Sequence, residues 1–492
     1  MSRPAIVFIG FMGAGKSTAA RELGGADSDA LVEAELGTTI EAYFDREGEA
    51  AFREVEERVV CELLDRAPDV VALGGGAVLS ERVRAALRDH TVMLIEVDTE
   101  TAWARAARSR RPLARDRDAF ERRFDERLAL YESLADAFVP SGGATAAAAA
   151  LGATPGTVPG VARIRMVWAQ AASGSYPVWF GEEAWPSLDR AFVLSDETVA
   201  RLYGARVAPV GLAIAPGEAS KTLASAQAVW GALAAAGHTR ADTLVAVGGG
   251  VVGDLGGFCA ATYQRGMPVV HVPTTVVAQV DSAYGGKTGI DLPQAKNYVG
   301  AYHQPAAVHV VPSTLETLPE RERAAGYAEV VKTALIAGGT LWESVRAGAR
   351  DDPDTVLACA RTKLAIVAAD ERDAGLRQVL NLGHTVAHAL ETVTGYSRLL
   401  HGEAVALGLL AALRLSGQDA LRDDVAELLA GAGLPLSVAN VDAGEVARAT
   451  MMDKKRLGER VPFVLVEAPG RVTPGHFVED HDLLLAVQEL LA

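Results

Sequence analysis

Gly10-Phe-Met-Gly13-Ala-Gly15-Lys16-Ser17 fits the spacing G-x-x-x-x-G-K-[ST], with Thr18 following. Glycines there let backbone N–H groups wrap a phosphate, the lysine reaches the β/γ phosphates, and the serine hydroxyl can ligate Mg²⁺. The run lies between a buried-strand pattern and a helical one, the context such a loop requires. Asp27-Ser-Asp29 sets two carboxylates at period two, on one side of an extended segment. They suit a water-held Mg²⁺ and a substrate hydroxyl. Arg53 shares a helical pattern with Glu56 and Glu57, where a surface ion pair is the bland alternative. Gly74-Gly75-Gly76 lets a backbone approach a ligand closely, and Arg110-Arg111-Pro-Leu reads as a lid.

A second constellation starts at LVAVGGGVVGDLGGF, a strand followed by Gly248-Gly249-Gly250 and Asp254. A glycine-rich strand-to-helix turn suits a dinucleotide pyrophosphate, although this is not G-x-G-x-x-G. Thr274 and Thr275 offer hydroxyls to a ribose or phosphate. Asp281-Ser282, Gly285-Gly286-Lys287 and Lys296-Asn297 then suggest a site for a polyhydroxylated anion. Glu329 and Lys332 stand at i, i+3 on a helix. Arg377, Asn381, His384 and His388 step by four, three and four, so the spacing predicts one helix face carrying all of them. His384 and His388 at i, i+4 suggest by spacing alone a divalent-metal pair.

The elements that must position these groups follow from hydrophobic patterning. Residues 4–9, 70–73 and 92–97 read as buried strands, separated by charged amphipathic segments at 49–66 and 117–136. Strand–helix alternation predicts an α/β domain with a parallel sheet over residues 1–140. Residues 141–162 begin SGGATAAAAALGATPGTVPG, an alanine-rich helix and a Gly/Pro linker with no charge in that run. Strand patterns at 191–195, 243–247, 269–272 and 307–311 define a second, Rossmann-like α/β domain, 163–312. Residues 313–492 are mostly helical until FVLVEA at 463–468.

Bulk properties narrow the function. The 492 residues exceed one core and suggest about three domains. A net charge of −16, from 47 Lys+Arg against 63 Asp+Glu, argues against a nucleic-acid binder. Three scattered cysteines offer no disulfide framework and suggest a reduced, cytoplasmic setting. No signal peptide or membrane span is expected.

The first constellation resembles shikimate kinase over residues 4–140. The resemblance implies that Asp29, Arg53, Gly75, Gly76 and Arg127 (in RLALY) bind shikimate, with Asp29 orienting the attacking hydroxyl. It implies that Gly13, Gly15, Lys16, Ser17 and Thr18 hold ATP, that Ser17 and Asp27 support Mg²⁺, and that Arg111 closes over the nucleotide. The segment AARELGGA is about six residues shorter than the family pattern, over one helical turn. Ala129 stands where that pattern has proline. Other small-molecule P-loop kinases, or a non-catalytic kinase-like module, share parts of this signature.

The second constellation resembles 3-dehydroquinate synthase over about residues 165–490. Its motifs are PGEASK, GGGVVGDLGGF, PTTVVAQVDSAYGGKTGI, KNYVGAYHQP, LPERERAAGYAEVVK, NLGHTVAHALE and HGEAVALG. The resemblance revises the metal reading. It implies Glu329, His384 and His401 as ligands of Zn²⁺ (or another divalent ion such as Co²⁺), with His388 on substrate. NAD contacts would come from Asp196, Glu218, Lys221, Gly249, Gly250, Asp254, Thr274, Thr275 and Asp281. Lys287, Asn297, Lys332, Lys363, Arg377 and Asn381 would hold and process a seven-carbon keto-acid phosphate. One of Lys454 and Lys455 (in MMDKKRLG), with Lys454 the one named for the site, would touch phosphate, and Arg265 would cross a homodimer interface. The implied fusion serves aromatic biosynthesis. Sibling sugar-phosphate cyclases and metal-dependent alcohol dehydrogenases of related fold are the neighbouring activities.

Overall fold

The computed structural model describes residues 4–109, 116–153, 164–293, 295–450 and 461–491. Arg111 and Lys454 lie outside the described residues, so their expected roles stay with the sequence. The chain divides into two compact units, Met1–Gln170 with Pro177–Glu183, and Ala171–Tyr176 with Ala184–Ala492.

In the first unit β1 (Ile6–Ile9), β2 (Ala26–Asp27), β3 (Val70–Ala72), β4 (Thr91–Glu96) and β5 (Ala137–Pro140) form a parallel sheet in the order β2-β3-β1-β4-β5. Apolar runs such as IVFI are buried on both faces, as a helix-covered parallel sheet requires. The alanine-rich segment forms the helix Ala144–Ala153. A sixth parallel strand, β6 (Arg165–Ala171), pairs with β5 through Ala137↔Met166 and Phe138↔Val167. Sequence patterning places a new region from residue 163, yet 165–170 and 177–183 pack with the first unit. The burial of Met166, Val167 and Trp168 against it is the physical reason. Next in the chain comes β7 (Gly174–Phe180).

The second unit holds β8 (Ala191–Asp196), β9 (Val210–Ile214), β10 (Thr243–Gly248), β11 (Val269–Pro273) and β14 (Ala307–Val310). They form a parallel sheet in the order β9-β8-β10-β11-β14. The chain reverses direction across the sheet between β8 and β10, the switch point where such folds bind ligands beyond the strands' carboxyl ends. Phe192, Leu194, Leu244, Leu255 and Val269 pack one side of this sheet. A two-stranded ribbon, β12 (Lys287–Leu292) and β13 (Ala295–Tyr302), follows the glycine-rich loop. Helices Glu320–Ala337, Pro353–Ala369, His384–Val393 and His401–Leu415 then carry most of the remaining polar candidates.

Two expectations from the sequence do not hold in the fold. Arg377, Asn381, His384 and His388 do not share one helix. Leu376–Asn381 is a 3₁₀ turn, and Gly383, at φ +77°, separates it from the helix that starts at His384. Asp27 and Asp29 do not lie along one extended segment either. Asp27 ends β2, and its side chain caps the helix Ser28–Leu36 by accepting the Asp29 N–H at 3.0 Å.

Candidate functional site

In the first unit the phosphate loop leaves β1 and opens a helix of seven residues, Lys16–Glu22. Lys16 Nζ curls back to donate to Gly10 O at 2.7 Å and Phe11 O at 3.0 Å. Gly15, at φ +99°, is the residue before that helix. The shortened segment is thus accommodated by a helix of only seven residues, and β2 still aligns with β3 through Asp27↔Ala72.

The acceptor side converges on the triple glycine. A methyl group added at Gly74 would lie 2.5 Å from Asp29 Oδ1 and 2.7 Å from Glu56 Oε1. One at Gly76 would overlap the Arg53 guanidinium, and Tyr131 donates its hydroxyl proton to Gly75 O. Arg53 is ion-paired with Glu56 and, at 3.0 Å, with Glu49. Of the two carboxylates named for the surface-pair alternative, Glu56 does pair with Arg53 but is buried, while Glu57 pairs with Ser80 and Arg82. Burial pushes the Glu56 carboxyl up despite Arg53. Arg127 is buried, its guanidinium 5.9 Å from the Phe11 ring centroid. Asp29, Arg53, Gly75, Gly76 and Arg127 thus belong to one neighbourhood, joined by Glu56 and Tyr131.

In the second unit the glycine turn behaves as a close-approach site. A methyl group at Gly249 would meet Thr275 Cγ2 at 2.9 Å, and one at Gly250 would meet Ser282 Oγ at 3.2 Å. Asp196 ends β8, and its side chain accepts the N–H groups of Thr198 and Val199. Lys221 lies 2.6 Å from Asp254 and 3.6 Å from Glu218. Thr274 Oγ1 is buried with no hydrogen-bond partner among the described residues, at the carboxyl end of β11. A hydroxyl in that setting costs about 1–3 kcal/mol unless something pairs with it, which fits a polar ligand here.

Glu329, His384 and His401 offer ligand atoms that all lie within 4.8 Å of one another. Three helices supply them. Glu329 is wholly buried in the middle of Glu320–Ala337, while His384 and His401 each open a helix. The first and last of these helices approach so closely that a methyl group at Gly402 would overlap the Ala325 backbone, so His401 is delivered beside Glu329. His384 Nε2 is 3.7 Å and His401 Nε2 3.5 Å from Glu329 Oε1. Burial alone would raise the Glu329 carboxyl, but Lys332 and His401 override it and hold it at about 2. Likewise burial would lower His401, but hydrogen bonding to Glu329 and Glu391 lifts it to about 10. The cluster therefore demands positive charge, and two imidazoles with one carboxylate suit Zn²⁺ or Co²⁺. His388 is outside the group, its ring 5.5 Å from that of His384 and 6.5 Å from that of His401.

Cations continue outward from the cluster, with Lys332 in direct contact with it. Lys332 bridges Glu329 and, at 3.8 Å, Asp281. Lys363 Nζ donates to Asp281 O at 2.6 Å and lies 2.9 Å from its Oδ1. Burial pushes the Lys363 amine down, only partly offset by Asp281. Arg377, almost wholly buried, donates to Glu371 O and Gly285 O, and Lys287 is ion-paired with Asp373. Asn381 ends the 3₁₀ turn just before His384, whereas Asn297 is exposed on β13, at φ +54°. Arg265 lies at φ +68° in the turn Tyr263–Arg265, which follows the helix Gly250–Thr262. Sequence reasoning missed Asp370 and Glu371, which anchor the loop holding Arg377. Glu371 accepts from Ser173 and Gln304. The acidic run DERD closing a helix was the available signal, but it also fits a solvated turn.

Comparison with known proteins matches both units. Family models for the 3-dehydroquinate synthase N-terminal and C-terminal parts match residues 211–325 and 326–456, and the shikimate kinase model matches 12–153. A 3-dehydroquinate synthase of Halorhodospira halophila is 41% identical over 345 residues, 64% of this chain and 97% of that protein. One from Geobacter metallireducens is 44% identical over 295 residues, 56% of this chain and 82% of that protein. Among solved structures, 2-deoxy-scyllo-inosose synthase with carbaglucose-6-phosphate, NAD⁺ and Co²⁺ shares the fold. It has a TM-score of 0.59 and 24% identity over 66% of this chain and all of that one. The 2-epi-5-epi-valiolone synthase of Streptomyces hygroscopicus, with NAD⁺ and Zn²⁺ bound, has a TM-score of 0.59 and 24% identity, over 64% of this chain and 97% of that one.

Proposed function

Because the chain belongs to the 3-dehydroquinate synthase family and carries a shikimate kinase domain ahead of it, we propose that it catalyses two reactions. One is ATP- and Mg²⁺-dependent phosphorylation of shikimate to shikimate 3-phosphate. The other is conversion of 3-deoxy-D-arabino-heptulosonate 7-phosphate to 3-dehydroquinate and phosphate, with NAD and a divalent metal. The observation that carries the second is the Glu329–His384–His401 group with buried Lys332 on Glu329 and Lys363 on Asp281, which Lys332 also reaches.

In the synthase half Glu329, His384 and His401 would hold the metal, and Asp196, Glu218, Lys221, Gly249, Gly250, Asp254, Thr274, Thr275 and Asp281 the cofactor. Once bound, the metal would polarise a substrate hydroxyl and the cofactor would take and return a hydride, so no net oxidation results. Arg377, Lys363 and Asn381 orient the carboxylate end, while Lys287, Asn297 and His388 hold hydroxyls and phosphate. Lys332 pairs with Glu329 and offsets part of its charge, and a bound metal would take the place of the proton that the free cluster holds on His401. Phosphate leaves as a dianion among these cations and serves as its own proton acceptor. Lys454 completes the phosphate contacts, and Arg265 reaches the site of a second protomer in a homodimer.

In the kinase half Lys16 releases its carbonyl partners to take the β/γ phosphates, with Ser17 and Asp27 supporting Mg²⁺. Gly13, Gly15 and Thr18 line the nucleotide, and Arg111 closes over it. Arg53 and Arg127 bind the shikimate carboxylate against Gly75 and Gly76, and Asp29 orients the attacking hydroxyl. No helix among the described residues is long and apolar enough to cross a membrane. With three free cysteines, a cytoplasmic setting fits. A sibling cyclase is not favoured, since the 3-dehydroquinate synthases of Halorhodospira halophila and Geobacter metallireducens are 41% and 44% identical to this chain, whereas 2-deoxy-scyllo-inosose synthase and the 2-epi-5-epi-valiolone synthase are each 24% identical.

The test is stoichiometric. Full-length protein with substrate in large excess over NAD⁺ should release phosphate over many turnovers with no build-up of NADH absorbance. NADH rising in proportion to product would make the second unit a dehydrogenase.

A further inference from the structure

His401 is gripped on both sides. Its Nε2 faces Glu329, and its Nδ1 lies 3.3 Å from Glu391 Oε1. Glu391 is on the helix His384–Val393, two turns beyond His384, and is 3% exposed. A carboxylate so deep is costly unless it is paired. Its partners are this imidazole and Lys296, whose Nζ is 3.7 Å away. Glu391 is not among the three residues whose ligand atoms converge. It therefore stands behind a ligand, where a carboxylate fixes tautomer and ring direction. With the Nδ1 proton donated to Glu391, Nε2 is the nitrogen aimed at Glu329 and His384, and its lone pair would serve a metal that displaces the Nε2 proton. The other imidazole is fixed differently, since His384 Nδ1 lies 3.2 Å from Leu382 O, a neutral acceptor. His401 is thus the ligand that a charged group makes more basic.

Lys296 extends the arrangement. Its Nζ is also 3.6 Å from Glu218, one of the groups assigned to the cofactor, and 4.7 Å above the Tyr396 ring. One lysine on β13 thereby touches a carboxylate on the metal side and a carboxylate on the cofactor side.

We propose that Glu391 is a positioning residue for the metal centre, setting the tautomer and strength of His401 as a ligand, and that Lys296 links it to the cofactor pocket through Glu218. The inference rests on the metal reading above. The competing view is that Glu391 and Lys296 form only a stabilising buried pair.

Co²⁺ affinity of the metal-depleted full-length chain, followed by visible absorption and equilibrium dialysis, separates these views. Removing such a supporting group typically weakens metal binding about 10–100-fold, and that loss is expected for Glu391→Gln, whose shape is nearly unchanged. Lys296→Met removes the ion pair but leaves the imidazole contact. It should keep Co²⁺ affinity while weakening NAD⁺ binding. Circular dichroism and thermal melting report folding of each variant. Wild-type affinity in Glu391→Gln, or an equal loss of Co²⁺ affinity in Lys296→Met, overturns the proposal. If wild-type chain binds no Co²⁺ at all, the metal reading itself falls.

Discussion

At the scale of single residues, the metal group depends on atoms far apart in the chain. Spacing on one helix points to His384 with His388, because i, i+4 histidines are the pattern a local reading can see. Glu329 and His401 reach the same point only because two other helices pack there, one so tightly that Gly402 must lack a side chain. Family resemblance supplied that set, and spacing could not. The two histidines should therefore behave differently. His384→Ala should abolish Co²⁺ binding and synthase turnover. His388→Ala should bind Co²⁺ as wild type does and lose turnover through substrate contact. Equilibrium dialysis with Co²⁺ checks both, and loss of metal in His388→Ala would contradict the ligand assignment.

At the scale of elements, strands and the phosphate loop were legible because buried parallel strands read as short apolar runs and glycine turns punctuate them. The single Arg–Asn–His–His helix face was not. Periodicity cannot register the left-handed Gly383, which divides a 3₁₀ turn from an α-helix. Nor does sequence alone reveal that Asp370 organises the loop before that turn. Its carboxylate accepts N–H bonds from Ala374 at 2.9 Å, Gly375 at 2.7 Å and Arg377 at 3.0 Å. Those bonds, from Ala374 and Arg377 foremost, hold Asp370 at about 2. A carboxylate depressed in the fold contributes stability that is fully present above its unfolded value, about 3.9. That stability is lost as pH falls through the folded one. Melting temperatures of wild type and Asp370→Asn should thus differ steadily above about pH 5 and converge towards pH 2. A gap that ignores pH would mean the carboxylate charge is not what anchors the loop. The short helix Lys16–Glu22 belongs here too. Asp27 caps the next helix and so fixes where Asp29 falls. Since a displacement near 1 Å can cost on the order of a hundredfold in rate, Asp27→Ala should slow phosphoryl transfer at saturating ATP more than it weakens ATP binding. Unchanged kcat in steady-state kinetics would argue that Asp29 is placed without its help.

At the scale of the whole molecule, the account is that one chain holds two catalysts with separate chemistry, a P-loop with its triple-glycine acceptor side and a metal group amid lysines and arginines. The composition reads as an acidic protein, yet the buried cations Lys332 and Lys363 gather on Asp281 and Glu329, and buried Arg377 donates to the Glu371 and Gly285 carbonyls. Bulk charge therefore says little about a pocket for anions. The most direct test assays both reactions on purified full-length wild type, Asp29→Asn and His384→Ala. ATP-dependent formation of shikimate 3-phosphate and NAD-dependent release of phosphate from the heptulosonate phosphate are measured side by side. The account predicts both activities in wild type, loss of only the first in Asp29→Asn, and loss of only the second in His384→Ala. A wild-type chain that binds ATP but never forms shikimate 3-phosphate, or a single substitution that abolishes both reactions in a folded protein, would contradict it.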